Sequence, residues 1–270
     1  MSGNVLGGLE FSSDPACLDR LHGAAVRVLE ETGVRFDTEQ ARGVLRKGGT
    51  HVDGAVARIP ARLVEWALNV TPSTFDLYSR EGRRAFTFGA DELGFTAGGG
   101  STYVLDWRTG QVRAYTLADA VEGARLVDVL PQFSQQFMVT GMISDVPSDR
   151  WGRHAFNVCI RNSTKPLILP VADSATLREF IEFVAREAGG LSELRARPTC
   201  TVEDNTTSPL IYDRQACDHL LLGAEYGLPV GTSGWLSPRP TTTIWLAGTP
   251  LRTSSSLTVL ARRKLNAMLY

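Results

Sequence analysis

The chain has 270 residues, 43% hydrophobic and 21% charged, and its 28 basic and 29 acidic side chains leave a formal net charge of -1. This is the composition of a globular protein with ample material for a core. It excludes the broad basic surface of a nucleic-acid binder, since Arg262-Arg263-Lys264 is the one dense basic run. Cys17, Cys159, Cys200 and Cys217 are scattered without Cys-x-x-Cys spacing, no apolar run is long enough for a bilayer, and Met1-Ser2-Gly3-Asn4 does not open a signal peptide; the expected setting is a reducing cytoplasm, with no membrane partner and no metal.

Taken in chain order, the first helix is expected over 14–29, where Leu18, Leu21, Ala25, Val28 and Leu29 recur at helical spacing and Gly33 ends the run. A second is expected from Thr38 to Lys47 before Gly48-Gly49, and a third from Pro60 onward with Leu63, Val64, Ala67 and Leu68. Short strands follow at 74–78 and 85–88. After the glycines at 98–100, Tyr103-Val104-Leu105 and Gln111 to Tyr115 read as a hairpin turning at 106–110. Residues 1–115 thus form an α+β N-terminal region.

From Thr116 the texture changes. Thr116-x-x-Asp119 is a capping box opening a helix with Leu117, Val121, Ala124, Val127 and Leu130 on one face. Strands are expected near 137–142, 167–171, 199–202 and 229–232, alternating with helices over 149–161, around Leu177 to Val184, and around Ala216 to Ala224 before Gly227. A repeat near thirty residues is the length of one βαβ unit, so these strands should be parallel. Residues 116–270 hold about four such units. Periodicity leaves two architectures open, a small complete open sheet or half of an eight-stranded barrel, which alone needs roughly 250 residues.

Ala97-Gly98-Gly99-Gly100-Ser101-Thr102-Tyr103-Val104-Leu105-Asp106, with Thr109-Gly110 and Thr116-Leu117-Ala118-Asp119 behind it, resembles the trimethylamine methyltransferase family. So do His22, Thr32-Gly33-Val34-Arg35-Phe36-Asp37 and Arg58-Ile59-Pro60 before it, and Ser144-Asp145-Val146-Pro147, Arg161-Asn162-Ser163-Thr164-Lys165-Pro166 and Ser208-Pro209-Leu210 after it, in the same order. The resemblance covers roughly residues 15–248. It implies a TIM (β/α)8-type barrel, here cut to about its first half, whose members move a methyl group from trimethylamine or a quaternary amine such as glycine betaine to the cobalt of a corrinoid (cobalamin). That corrinoid is carried by a separate protein, and this chain binds none itself. From about residue 250 the sequence departs from the family pattern.

In a parallel barrel the site forms at the carboxyl ends of the strands. The most polar connection there is 203–213. In it Glu203 and Asn205 are candidates for holding an ammonium head group, against the alternative of a solvated turn with a helix cap. Tyr103 and Trp235 are candidate aromatic hosts for methylated ammonium, although an aromatic in a strand is more often core. Gly98, Gly99 and Gly100 could admit a ligand to the backbone, or simply form a tight turn; no Gly-Lys-Ser/Thr follows, so they are not a P-loop. Cys217-Asp218-His219 should not converge on a metal from one helix, and Ser233 has no partner base. A rival reading keeps the acidic and aromatic set but no catalysis: a binding domain for methylated ammonium ligands, or an inactive fragment. Homo-oligomers are compatible with either.

Overall fold

The computed structural model describes residues 15–90, 94–138, 141–171 and 173–235. Helix α1 (Pro15–Arg27) runs into a π-helical turn, Val28–Thr32, which Gly33 closes at φ 82. A Cβ at Gly33 would stand 2.8 Å from the Ala57 carbonyl, so the turn needs glycine for space as well as for φ. Then come β1 (Val34–Phe36), α2 (Glu39–Lys47), β2 (His51–Asp53), β3 (Val56–Arg58) and α3 (Ala61–Val70). Thr38 caps α2 by accepting from the Ala41 amide, and Pro60 precedes α3. Strands β4 (Phe75–Tyr78) and β5 (Arg84–Phe88) pair with each other, β6 (Phe95–Thr96) follows, and β7 (Tyr103–Leu105) and β8 (Val112–Ala114) make a separate hairpin.

The expected capping box is present at the start of α4 (Leu117–Val129), where Asp119 accepts from the Thr116 amide at 2.8 Å. Next are β9 (Phe133–Phe137), α5 (Trp151–Asn162), β10 (Leu167–Leu169), α6 (Ser174–Glu187), α7 (Leu191–Ala196), β11 (Cys200–Thr207), β12 (Ile211–Tyr212), α8 (Arg214–Tyr226) and β13 (Val230–Trp235). None of these helices is long and apolar enough to cross a membrane.

Two expectations are corrected. The strand placed near 137–142 lies at Phe133–Phe137. The polarity of Ser134-Gln135-Gln136 conceals it, yet both glutamines are buried. The connection expected over 203–213 is not a loop as far as Thr207, because β11 pairs with β13 in unbroken register from Val202↔Val230 to Thr207↔Trp235. A neighbouring ladder satisfies the backbone there, so polar side chains ride on a strand. The α8 cap is Asp213, which accepts from the Ala216 amide at 2.9 Å.

β6, β9, β10, β11 and β13 are parallel and adjacent in chain order without reversal. β12 pairs with the end of β11 and, in parallel, with β1, which carries β3 and β2 beyond it. Along β10 and β11 the side chains alternate. Leu167, Leu169, Cys200 and Val202 enter the main core with Phe156, Leu177, Phe180, Ile181 and Leu222 from the helices. Phe156 and Phe180 stack at 4.0 Å. A second cluster joins Val34, Phe36, Ala41 and Ala57 to Cys217 of α8, and Phe36 stacks on Tyr212 at 5.0 Å.

At the amino ends of the parallel strands, half-buried cations close helix termini. Arg80 donates to the Ile160 and Ser163 carbonyls at the end of α5, and Lys165 to the Val127 and Leu130 carbonyls at the end of α4, each at 2.5 Å. The last carbonyls of a helix lack intrahelical donors and carry the negative end of its dipole, which is why a cation suits both places. Asp128 accepts from the Ser163 hydroxyl and the Thr164 amide, fixing the turn that leads into β10.

Candidate functional site at the carboxyl ends of the parallel strands

Three of the candidates flagged in the sequence fall on β11 and its neighbour β13, Glu203 in the middle of its strand and Asn205 and Trp235 toward the carboxyl ends. Period-two alternation places Thr201, Glu203, Asn205 and Thr207 on the face opposite the helices, with Cys200, Val202, Asp204 and Thr206 on the helix side. Glu203 and Asn205 are therefore on one face, two residues apart. Gly231, Ser233 and Trp235 stand opposite Glu203, Asn205 and Thr207 in register. The Trp235 and Ser233 side chains lie outside the described residues, as does the tail beyond 235.

Glu203 is half-buried, and its Oε2 has no hydrogen-bond partner among the described residues. Burial raises its pKa above the ordinary carboxylate value, with no cation to oppose the shift. Its carbonyl is held from behind: His219, fully buried on α8, has Nδ1 3.2 Å from the Glu203 carbonyl oxygen. A carbonyl can only accept, so Nδ1 carries the proton. Desolvation lowers the His219 pKa, which keeps the ring neutral, and Nε2 is left without a partner.

Asp204 points the other way and is 1% exposed. Neither carboxylate oxygen has a well-formed hydrogen bond among the described residues. Burial, then the nearby Asp213 carboxylate, pushes its pKa up to about 7, with the backbone N–H of Asn205 close enough to offset part of the rise. Beside it burial, and then the Asp204 charge, raise the Tyr212 phenol as well. Within the 203–213 connection, for which a solvated turn was one of the two readings, Asp204 is instead buried on a strand. The continuation of Cys200-x-Val202-x-Asp204 at strand spacing was the signal that it would be buried. Gln135 Nε2 and Thr199 Oγ1 are further buried polar atoms without partners.

Cys217 and His219 diverge, Cys217 Sγ donating to the Tyr212 carbonyl at 3.3 Å while His219 reaches β11. The glycine run leaves the carboxyl end of β6, three strands from β11, and is exposed. A Cβ would meet open space at Gly98 and Gly100, and Gly100 has φ +79. Tight packing at this edge belongs instead to Gly141, where a Cβ would lie 2.6 Å from the Tyr115 ring, next to the Ser101↔Gly141 bridge. Tyr103 is not brought to the β11 face: it sits on the separate β7–β8 hairpin and is exposed.

These features define an α/β protein in which the parallel strand β11 carries two acidic side chains, Glu203 and Asp204, with buried oxygens that have no hydrogen-bond partner among the described residues. The family model for trimethylamine methyltransferase matches residues 11–248, and the chain belongs to that family. It is 29% identical over 244 residues to the trimethylamine methyltransferase MttB of Desulfitobacterium hafniense, covering 90% of this chain and 49% of that protein. It is 25% identical to a glycine betaine methyltransferase of the same species, covering 86% and 48% of the two chains. With the proline betaine:corrinoid methyltransferase of Eubacterium limosum it shares 25% identity, over 79% and 45%. The chain spans about half the length of these relatives.

Proposed function

We propose that the chain is part of a methyltransferase that takes a methyl group from a methylated amine, trimethylamine or a betaine, and delivers it to the cobalt of a corrinoid on a separate protein. In this reading β6, β9, β10, β11 and β13 are consecutive strands of an eight-stranded ring, and their unreversed parallel order supports it. The observation that carries the function is the half-buried Glu203 carboxylate in the middle of β11, whose Oε2 has no hydrogen-bond partner among the described residues and whose pKa burial raises.

A buried carboxylate without a cation favours its neutral form, and a quaternary ammonium placed beside it restores the charged form without needing a hydrogen-bond donor. Asn205 lies on the same face of β11, two residues further along the strand. His219 holds the β11 backbone under both. The corrinoid supplies the methyl acceptor when its protein docks. The open backbone at Gly98 and Gly100 fits the approach of a large planar group, since a Cβ at either would meet nothing within 4 Å. From a betaine, or from trimethylamine in its protonated ammonium form, loss of the methyl group leaves a neutral amine, so the chain's residues have only to align the N–CH3 bond and exclude water.

The test is methyl transfer to cob(I)alamin by a reading frame extended beyond residue 270, with trimethylamine and glycine betaine as donors. Transfer that falls at least tenfold in Glu203→Gln supports the reading; no transfer from any methylated amine overturns it. Because the Glu203 oxygen is already unpaired in this chain, calorimetry on the 270-residue protein discriminates the rival. Ligand binding without transfer by the extended protein would make it a binding module for methylated ammonium.

A further inference from the structure

The hairpin β7–β8 carries a face that nothing in the described structure covers. Its register pairs Tyr103 with Ala114 and Leu105 with Val112 on one side, and Val104 with Arg113 on the other. The second side is anchored. Val104 packs on the main core, and Arg113 binds both carboxylate oxygens of Asp119 at 2.7 and 2.8 Å and Asp106 at 3.0 Å. The first side faces outward with Tyr103, Leu105 and Val112 at 63%, 64% and 68% exposure, and Trp107 at the turn is 77% exposed.

We infer that this outer face is a twofold contact between two copies of the chain. A two-stranded hairpin is marginal in water unless its apolar face is packed, and this one holds its apolar residues rigidly away from its own core. The four large side chains expose roughly 600 Å² per copy, near the upper limit for patches on monomers, and two copies would remove about 1,200 Å², enough for a specific interface. Asp106 and Arg113 are paired on the inner side, and the outer face carries a single cation, Arg108, lying over the Trp107 ring at 4.4 Å. In a twofold contact each patch meets itself, so a face with one cation at its rim is compatible with a second copy when the geometry separates the two cations. An antiparallel approach sets the turn of one hairpin over the strand ends of the other and keeps the two Arg108 side chains apart.

The inference is independent of the reaction proposed above. Sedimentation equilibrium of the 270-residue chain should give a dimer at about 100 µM. Leu105→Lys with Trp107→Glu should be monomeric there, with unchanged circular dichroism and melting temperature. Leu105→Cys should form disulfide-linked dimers under mild oxidation that the same change at exposed Leu126 does not give. A wild-type chain that stays monomeric at that concentration overturns the inference. So does a dimer that survives the double substitution. Capture of a corrinoid protein by a monomer through the same residues would assign the face to another partner and equally overturn it.

Discussion

The two ends of the parallel strands treat buried charge in opposite ways. At the amino ends, Arg80 and Lys165 each donate to two helix carbonyls, and Asp128 accepts from two donors of the turn before β10. Further along the strands, on β11 and α8, Glu203, Asp204 and His219 each keep a buried polar atom with no hydrogen-bond partner among the described residues, and at the amino ends Arg80 Nε and Thr199 Oγ1 do so as well. Engaged charge closes helices and holds turns. Disengaged charge stores unfavourable free energy, and a fold retains it where a ligand or a reaction uses it. The contrast in acidic groups, Asp128 engaged and Glu203 and Asp204 not, is what the proposed function draws on.

The strongest way to break this comparison is to relieve Asp204. An acid whose folded pKa is raised binds its proton more tightly when folded, so stability falls as pH rises from the ordinary aspartate value, near 4, to about 7, and then levels off. Asp204→Asn should therefore gain on the order of 3–4 kcal/mol over wild type at pH 8 and little at pH 4. Urea denaturation at the two pH values checks it, and equal effects at both would show that Asp204 is not a buried unpaired acid. At the opposite end, Arg80→Ala and Lys165→Met should each cost about 2–3 kcal/mol, since each strands two carbonyls at a helix terminus. Gly141→Ala should cost about 1–3 kcal/mol through the clash with the Tyr115 ring, read as a lower urea midpoint with unchanged slope. Glu203→Gln sharpens the comparison, because it should alter stability by less than about 1 kcal/mol while abolishing binding of any methylated ammonium ligand.

Much of the α/β half was legible from pattern. Helical stripes, the Thr116 capping box, Gly227 at the end of α8 and the thirty-residue repeat follow from local rules that need no tertiary contact. The short strands β1, β2, β3, β6 and β12 were not legible. Two or three residues carry no usable period, and they are strands only because a distant strand offers its hydrogen bonds, as β12 does for β1 and β9 for β6. Glu203 was legible as a candidate and its place on a strand was not.

By itself the sequence determined which segments could be helix or strand, that the strands would be parallel, and that Glu203 and Asn205 would come close to a strand's carboxyl end. Only the tertiary structure decided that β11 runs on to Thr207, because β13 lies beside it to complete the ladder. It alone decided that Asp204 is sealed from water on the helix side and that His219 crosses from α8 to hold the Glu203 carbonyl. The physical reason is that burial and hydrogen-bond satisfaction depend on what packs against a residue, and for these residues the packing partners are remote in the chain.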